Sequence, residues 1–136
     1  MRLVSNVDLA AEKSKAKAKV DEIAERIRGY FVTPGSGQAM VYTEKRKEAE
    51  DYLANLNIGV GEIPHIALEA ALDGVTIFDK SVEVVTVSYQ WREISSRIER
   101  IRLETKKNID LATDYRVIRE MPNNMDWSPV LMFVQQ

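Results

Sequence analysis

The stretch SVEVVTVSYQWREISSRIERIRLETKKNIDLA, Ser81 to Ala112, decides the fold. Val84, Val87, Trp91, Ile94, Ile98 and Ile101 recur in steps of three and four, the spacing of a seam that buries against other helices. The next two positions in register, Thr105 and Asn108, are polar, and Ile109 carries the apolar side on. Read as helix throughout, the stretch would run roughly 48 Å at about 1.5 Å per residue. The valines at 82, 84, 85 and 87 have strand propensity. Helix is still expected, because their register continues through Trp91 to Ile101. Glu93 precedes Arg97 by four residues and Glu99 precedes Arg102 by three, each pair worth only about 0.2–0.5 kcal/mol on an exposed helix. Hiding one Val or Ile contributes roughly 1.5–3 kcal/mol, so apolar contacts should decide where this helix docks.

Working outward, the sequence upstream reads as a helical hairpin. Asn6 or Asp8 is placed to cap a helix beginning near Leu9. Val20, Ile23, Ala24, Ile27 and Phe31 give that helix an apolar face, while Lys13, Lys15, Lys17 and Lys19 alternate with small residues. The lysines read as a solvated face, or as a contact with an acidic partner or nucleic acid. Thr33-Pro34-Gly35-Ser36-Gly37-Gln38 stops the helix and lets the chain reverse. Its glycines lack the Lys-Ser/Thr of a phosphate loop. A second helix follows from Gln38 to Asn55, with Met40, Val41, Ala49, Tyr52, Leu53 and Leu56 on its apolar side and Glu48 among the wet residues.

Asn57 to Ile63 is a linker. Pro64 suits a first helical position, and a short helix from His65 to Leu72 is closed by Asp73-Gly74. Val75 to Phe78 reconnects to the long helix, with Asp79 or Ser81 as its cap. After Asp114 the character changes. Tyr115 to Glu120 reads as an extension of the helix or a short strand, and Met121 to Asp126 as a turn. Trp127 to Val134 is strongly apolar. It reads as a tail folded over its own core, or as an anchor inserted into a neighbouring subunit.

The expected fold is therefore all-α: a helical hairpin, a short helix and one long helix, bundle- or coiled-coil-like, with an irregular or short-β tail. Residues 1–114 would form the bundle and 115–136 an apolar docking tail. The expected partner or oligomer interface is Val84, Val87, Trp91, Ile94, Ile98, Ile101, Trp127, Val130, Leu131 and Phe133. Both chain ends are expected to be held, partner chains being one means of holding them.

Composition narrows the chemistry. Of 136 residues 45% are hydrophobic and 29% charged, which opposes wholesale disorder, and the net charge of −2 gives no case for broad nucleic-acid affinity. The absence of cysteine excludes disulfides, thiolate metal sites and a cysteine nucleophile. The first ten residues lack a signal peptide's apolar core, and no uncharged run reaches a membrane span, so synthesis in the cytoplasm and no membrane contact are expected. His65 is the sole histidine, and Glu69 lies one turn on, but two ligands make an incomplete metal site. Ser36 does not sit in a nucleophile elbow. Phe78, Tyr89 and Trp91 read as core rather than a cofactor box. Neither catalytic residues, cofactor nor metal is expected.

The stretch Ile27 to Tyr42, IRGYFVTPGSGQAMVY, followed by KRKEAEDYLAN, resembles a small helical module of tailed bacteriophages and prophages. In that module an arginine-containing helix leads through a TPGxGQAMVY-type turn into a second helix, then a Pro-containing short helix and a long helix with a central Trp. Trp91, Ile98-Glu99, Arg102-Leu103, Lys106 and Ile109 fill the corresponding places, and the likeness covers about residues 20–112. The valine-rich start of the long helix and the Tyr115–Gln136 tail depart from it. The resemblance implies a virion structural protein of the tail or fibre-attachment region, located in the virion and, during assembly, in the host cytoplasm. Its partners would be other phage structural proteins and further copies of itself, a trimer by analogy with threefold fibres. A nonvirion assembly chaperone is the alternative. No catalytic residues come with the likeness.

Overall fold

The computed structural model describes residues 8–31 and 36–134, with the backbone alone for Ser36, Gly37 and Val134. The mixed start with Asn6, the Thr33–Gly35 part of the turn and the two extreme ends lie outside the described residues. Among those described, every regular element is helical: α1 (Leu9–Arg28), α2 (Ser36–Ala54), α3 (Pro64–Asp73), α4 (Ile77–Leu111), α5 (Tyr115–Glu120) and α6 (Ser128–Val134), with short 3-10 turns at Val60–Glu62 and Met121–Asn124.

The chain divides into two compact units. A terminal unit takes Met1–Val32 with Ile94–Gln136, and a central unit takes Thr33–Glu93. Helix α4 therefore supplies its first half to the central unit and its second half to the terminal one. The tail beyond Asp114 belongs to the terminal unit rather than forming a unit of its own.

In the terminal unit, Asp8 caps α1 by accepting from the Ala11 N–H at 3.2 Å. Ala16 and Val20 of α1 bury against Ile109 of α4 and Ile118 of α5, with Ala112, Met121 and Met125 packed around them. Tyr115 to Glu120 is neither an extension of α4 nor a strand. Helix α4 ends at Leu111, the chain breaks, and Asp114 caps a new helix by accepting from Arg116 N at 2.9 Å. The apolar tail is helical as well: Asp126 accepts from the backbone N and the hydroxyl of Ser128, at 3.0 and 2.6 Å, and starts α6. Those two bonds hold the Asp126 carboxyl below its usual range.

In the central unit, Ala49 of α2 packs with Ile63 and Ile66, and Tyr52, Ile58, Ile77, Val84 and Val85 close around them. Pro64 opens α3, and Gly74 ends it at φ +69°, the left-handed conformation that a side chain would strain. Helix α4 begins at Ile77, four residues before the expected start. The cap is Thr76, whose hydroxyl accepts from Asp79 N at 3.0 Å, so neither Asp79 nor Ser81 serves. Ser81 instead lies buried, and its Oγ has no hydrogen-bond partner among the described residues.

Candidate docking surfaces

Charged side chains fix the register of α1 on the second half of α4. Arg28 bonds Glu99 at 2.8 Å, Arg102 reaches Asp21 at 2.7 Å, Lys106 joins Asp21 at 3.0 Å, and Lys17 pairs with Asp110 at 2.8 Å. Numbers rise along one helix as they fall along the other, so the two run antiparallel. Arg102 also grips both oxygens of Glu99, at 2.8 and 3.0 Å. The Arg102 hydrogen bond holds the Glu99 carboxyl below its usual range, with Arg28 adding to it. Desolvation pushes Asp21 up, but the bonds from Lys106 and Arg102 outweigh it, and its carboxyl too lies low. Lys13 donates to the Asp110 carbonyl at 2.6 Å, placing a cation on the last turn of α4, where the helix dipole favours it. Lys13 and Lys17 are thus tethers within the chain, not the solvated face that alternation suggested. Glu12 is gripped by Arg119 of α5 at 2.7 and 3.0 Å.

His65 has a structural partner that the sequence did not reveal. Glu48, placed on the wet side of α2 by the sequence, is buried. Its Oε1 accepts from the backbone N–H of His65 at 2.8 Å and of Ile66 at 3.1 Å, and its Oε2 accepts from His65 Nδ1 at 2.6 Å. A carboxylate from α2 therefore caps the N-terminus of α3, whose own Ile63 offers no side-chain acceptor. Glu69 turns instead to Lys45, at 2.7 Å. Among the described residues no group of three His, Asp or Glu could hold a metal. An open hollow of about 230 Å³ lies over Thr105, Asn108, Val117, Glu120, Met121 and Asn124, with no converging charge pair.

The seam residues fall into different surroundings. Ile94 and Ile98, which belong to the terminal unit, are buried in the single chain, and Val84, Trp91 and Ile101 are half-buried. Only Val87 is open, at 55%. In the tail Val130 is buried, Trp127 is half-buried, and half-buried Phe133 lies under the Arg97 guanidinium at 4.8 Å. Arg97 also donates to the Pro129 carbonyl at 3.0 Å. Leu131, with Met132 beside it, remains exposed.

The exposed apolar surface lies elsewhere. In the central unit Phe78, Val82 and Tyr89 stand on the outward side of α4, with Tyr89 64% exposed, contrary to the core role expected of Phe78 and Tyr89. Leu68 and Leu72 stand on the side of α3 opposite its buried Ile66 and Ala70. In the terminal unit Leu103 and Leu111 stand open on α4. Sequence reasoning missed this second stripe because Val82, Tyr89, Leu103 and Leu111 are interrupted by Glu93, Ser96, Arg100 and Lys107, which weakens the apolar period.

The two units also differ in charge. Residues 33–93 carry five Lys and Arg against ten Asp and Glu, a net of −5, while the other residues carry fourteen against eleven, a net of +3, together giving the whole-chain −2. No helix among the described residues is long and apolar enough to cross a membrane. Comparison with protein-family models, curated proteins and solved structures returns no match.

Proposed function

We propose that this protein is a helical assembly module that works by docking exposed apolar helix faces on other protein, as a structural component of a tailed-phage virion in its tail or fibre-attachment region. The observation that carries the docking reading is the open set Phe78, Val82 and Tyr89 on α4 with Leu68 and Leu72 on α3, side chains whose burial would each contribute roughly 1.5–3 kcal/mol. The virion setting rests on the resemblance through the TPGSGQAMVY turn. Self-association accompanies it in this reading. Membrane and nucleic acid have no part in it, and His65 serves as a capping partner of Glu48.

Purified particles from a host carrying this gene test the setting. Mass spectrometry should find the protein in fixed stoichiometry with tail components. Its presence only in a soluble complex with a tail or fibre protein, and its loss from mature particles, would replace the virion role with that of an assembly chaperone. Absence from both would overturn the reading.

A further inference from the structure

We propose that the outward stripe of α4 in the central unit, Phe78, Val82 and Tyr89, is the docking site for a basic amphipathic helix of another protein. This rests on the assembly reading and deepens it by stating the chemistry of the partner. The stripe lies wholly within the central unit. At about 100° per residue its three positions fall within about 40° of one another around the helix, and they cover about 16 Å of its length, three turns. Phe78 is 48% exposed, Val82 42% and Tyr89 64%, while Lys80, on the opposite side, is buried. A straight row of this length is the footprint of a second helix laid along the first.

Charge beside the stripe and the rings within it both call for a cation. Asp79 and Glu83 each follow a stripe residue by one position and line one flank, with Thr86 and Gln90 beyond them, so that flank holds two acids and no base. The neighbouring Lys80 does not cancel them. It is shared by Glu83 and by Asp73 of α3, two carboxylates on one ammonium, which leaves one negative charge over, and Asp79 adds another. Arg92 and Glu93, at the far end, carry opposite charges. The rings point the same way. Tyr42 carries Lys45 at 5.7 Å, and Tyr115 and Phe133 carry Arg119 and Arg97, each at 4.8 Å. Among the described residues no Lys or Arg lies over Phe78 or Tyr89, so these two ring faces are open to a cation from outside. A second copy laid stripe to stripe would add its own Asp79 and Glu83, and an anionic lipid surface would be repelled by them. The complementary occupant is a helix with Lys or Arg beside its apolar row.

The full chain is titrated into labelled synthetic peptides of about 18 residues, long enough to be helical, and binding is read by fluorescence anisotropy. The first peptide has Leu at helical spacing with Lys on both flanks. The second has Glu in place of Lys, and the third has the composition of the first with its period scrambled. The first should bind at least about tenfold more tightly than either of the others. Tyr89→Lys and Asp79→Lys, both at exposed sites, should each weaken it about fivefold or more with unchanged helicity by circular dichroism. Leu103→Lys makes the same charge change as Tyr89→Lys on the terminal unit and should leave binding within about twofold. No binding of the basic peptide, equal binding of the acidic or scrambled one, or equal loss in Leu103→Lys and Tyr89→Lys overturns the proposal. So does a dimer of the free chain that Tyr89→Lys breaks, which would make a second copy the occupant. A peptide that fails to bind while the protein is found in particles leaves the assembly reading with another partner. Binding with absence from particles removes the virion setting and leaves the docking site.

Discussion

Arg102 in the terminal unit is shared by Asp21 and Glu99 at a half-exposed surface, whereas Glu48 and Lys80 in the central unit are buried. The terminal unit spreads its charge pairs along the α1–α4 contact, so losing one leaves neighbours: Asp21 keeps Lys106, and Glu99 keeps Arg28. In the central unit each buried charge has a dedicated set of partners. Lys80 lies between Asp73 and Glu83, which raise its pKa through hydrogen bonds, and Glu48 serves three donors at once. A shared surface charge can be deleted and leave its partners paired, whereas deleting a buried charge such as Glu48 strands every group it serves.

The largest test of the contrast is in the apolar cores. Ile118→Ala and Ile66→Ala, both at fully buried sites, should each cost about 2–5 kcal/mol. Hydrogen exchange should show protection lost first in the helices of the altered unit. Equal loss in both units would break the division. Next comes the pair of charge deletions. Glu48→Ala should cost the central unit about 1–3 kcal/mol, because it leaves two amides and His65 without their acceptor. Arg102→Ala should cost the terminal unit about 1 kcal/mol or less. Urea denaturation compares the two, and a reversed order would refute the redundancy argument.

Acid should also separate the units. Asp21, Glu99 and Asp110 have folded pKa values below their unfolded ones: desolvation at Asp21 is outweighed by Lys106 and Arg102, Arg102 bonds Glu99, and Lys17 bonds Asp110. The unfolded terminal unit therefore takes up protons first. The stabilisation these groups give is complete above about pH 5 and fades as pH falls through their lowered values. Lys80 has the opposite sign: its contribution is full below about pH 10 and declines only as pH rises through its raised value. Between pH 6 and pH 3, amide protection should fall more in α1 than in α3, and equal decline would contradict this. The smallest effect is expected at Ser81. Removing its buried, unpartnered hydroxyl by Ser81→Ala should change stability by about 0.5 kcal/mol or less, toward stabilisation. A loss above that would reveal a bond to Oγ.

How much of this could be read beforehand depends on range. Local signals were legible: Asp8 as one of two cap candidates beside Asn6, Pro64 as first residue, Gly74 as stop, and the long helix itself. Each is decided within a few residues. The α6 helix was harder, because Ser128-Pro129 in an apolar run fits a strand edge as well as a first helical turn. Glu48 was misread because its spacing among Lys45, Arg46 and Lys47 suits a wet face, and only the approach of α3 shows its use. The 4-3 pattern of Val84 to Ile101 announced burial but not whose atoms would do the burying. The chain covers Ile94 and Ile98 itself, and the open stripe lies on another side of the same helix.

The Glu48 cap has a temporal consequence. Helix α3 has ten residues, fewer than an isolated helix needs in water, and its first amides are held by a carboxylate from another helix. It acquires that acceptor only once α2 has wound and come alongside. During folding of the central unit α2 is therefore the template and α3 the follower, and any event that pulls α2 away unravels α3 from its first turn.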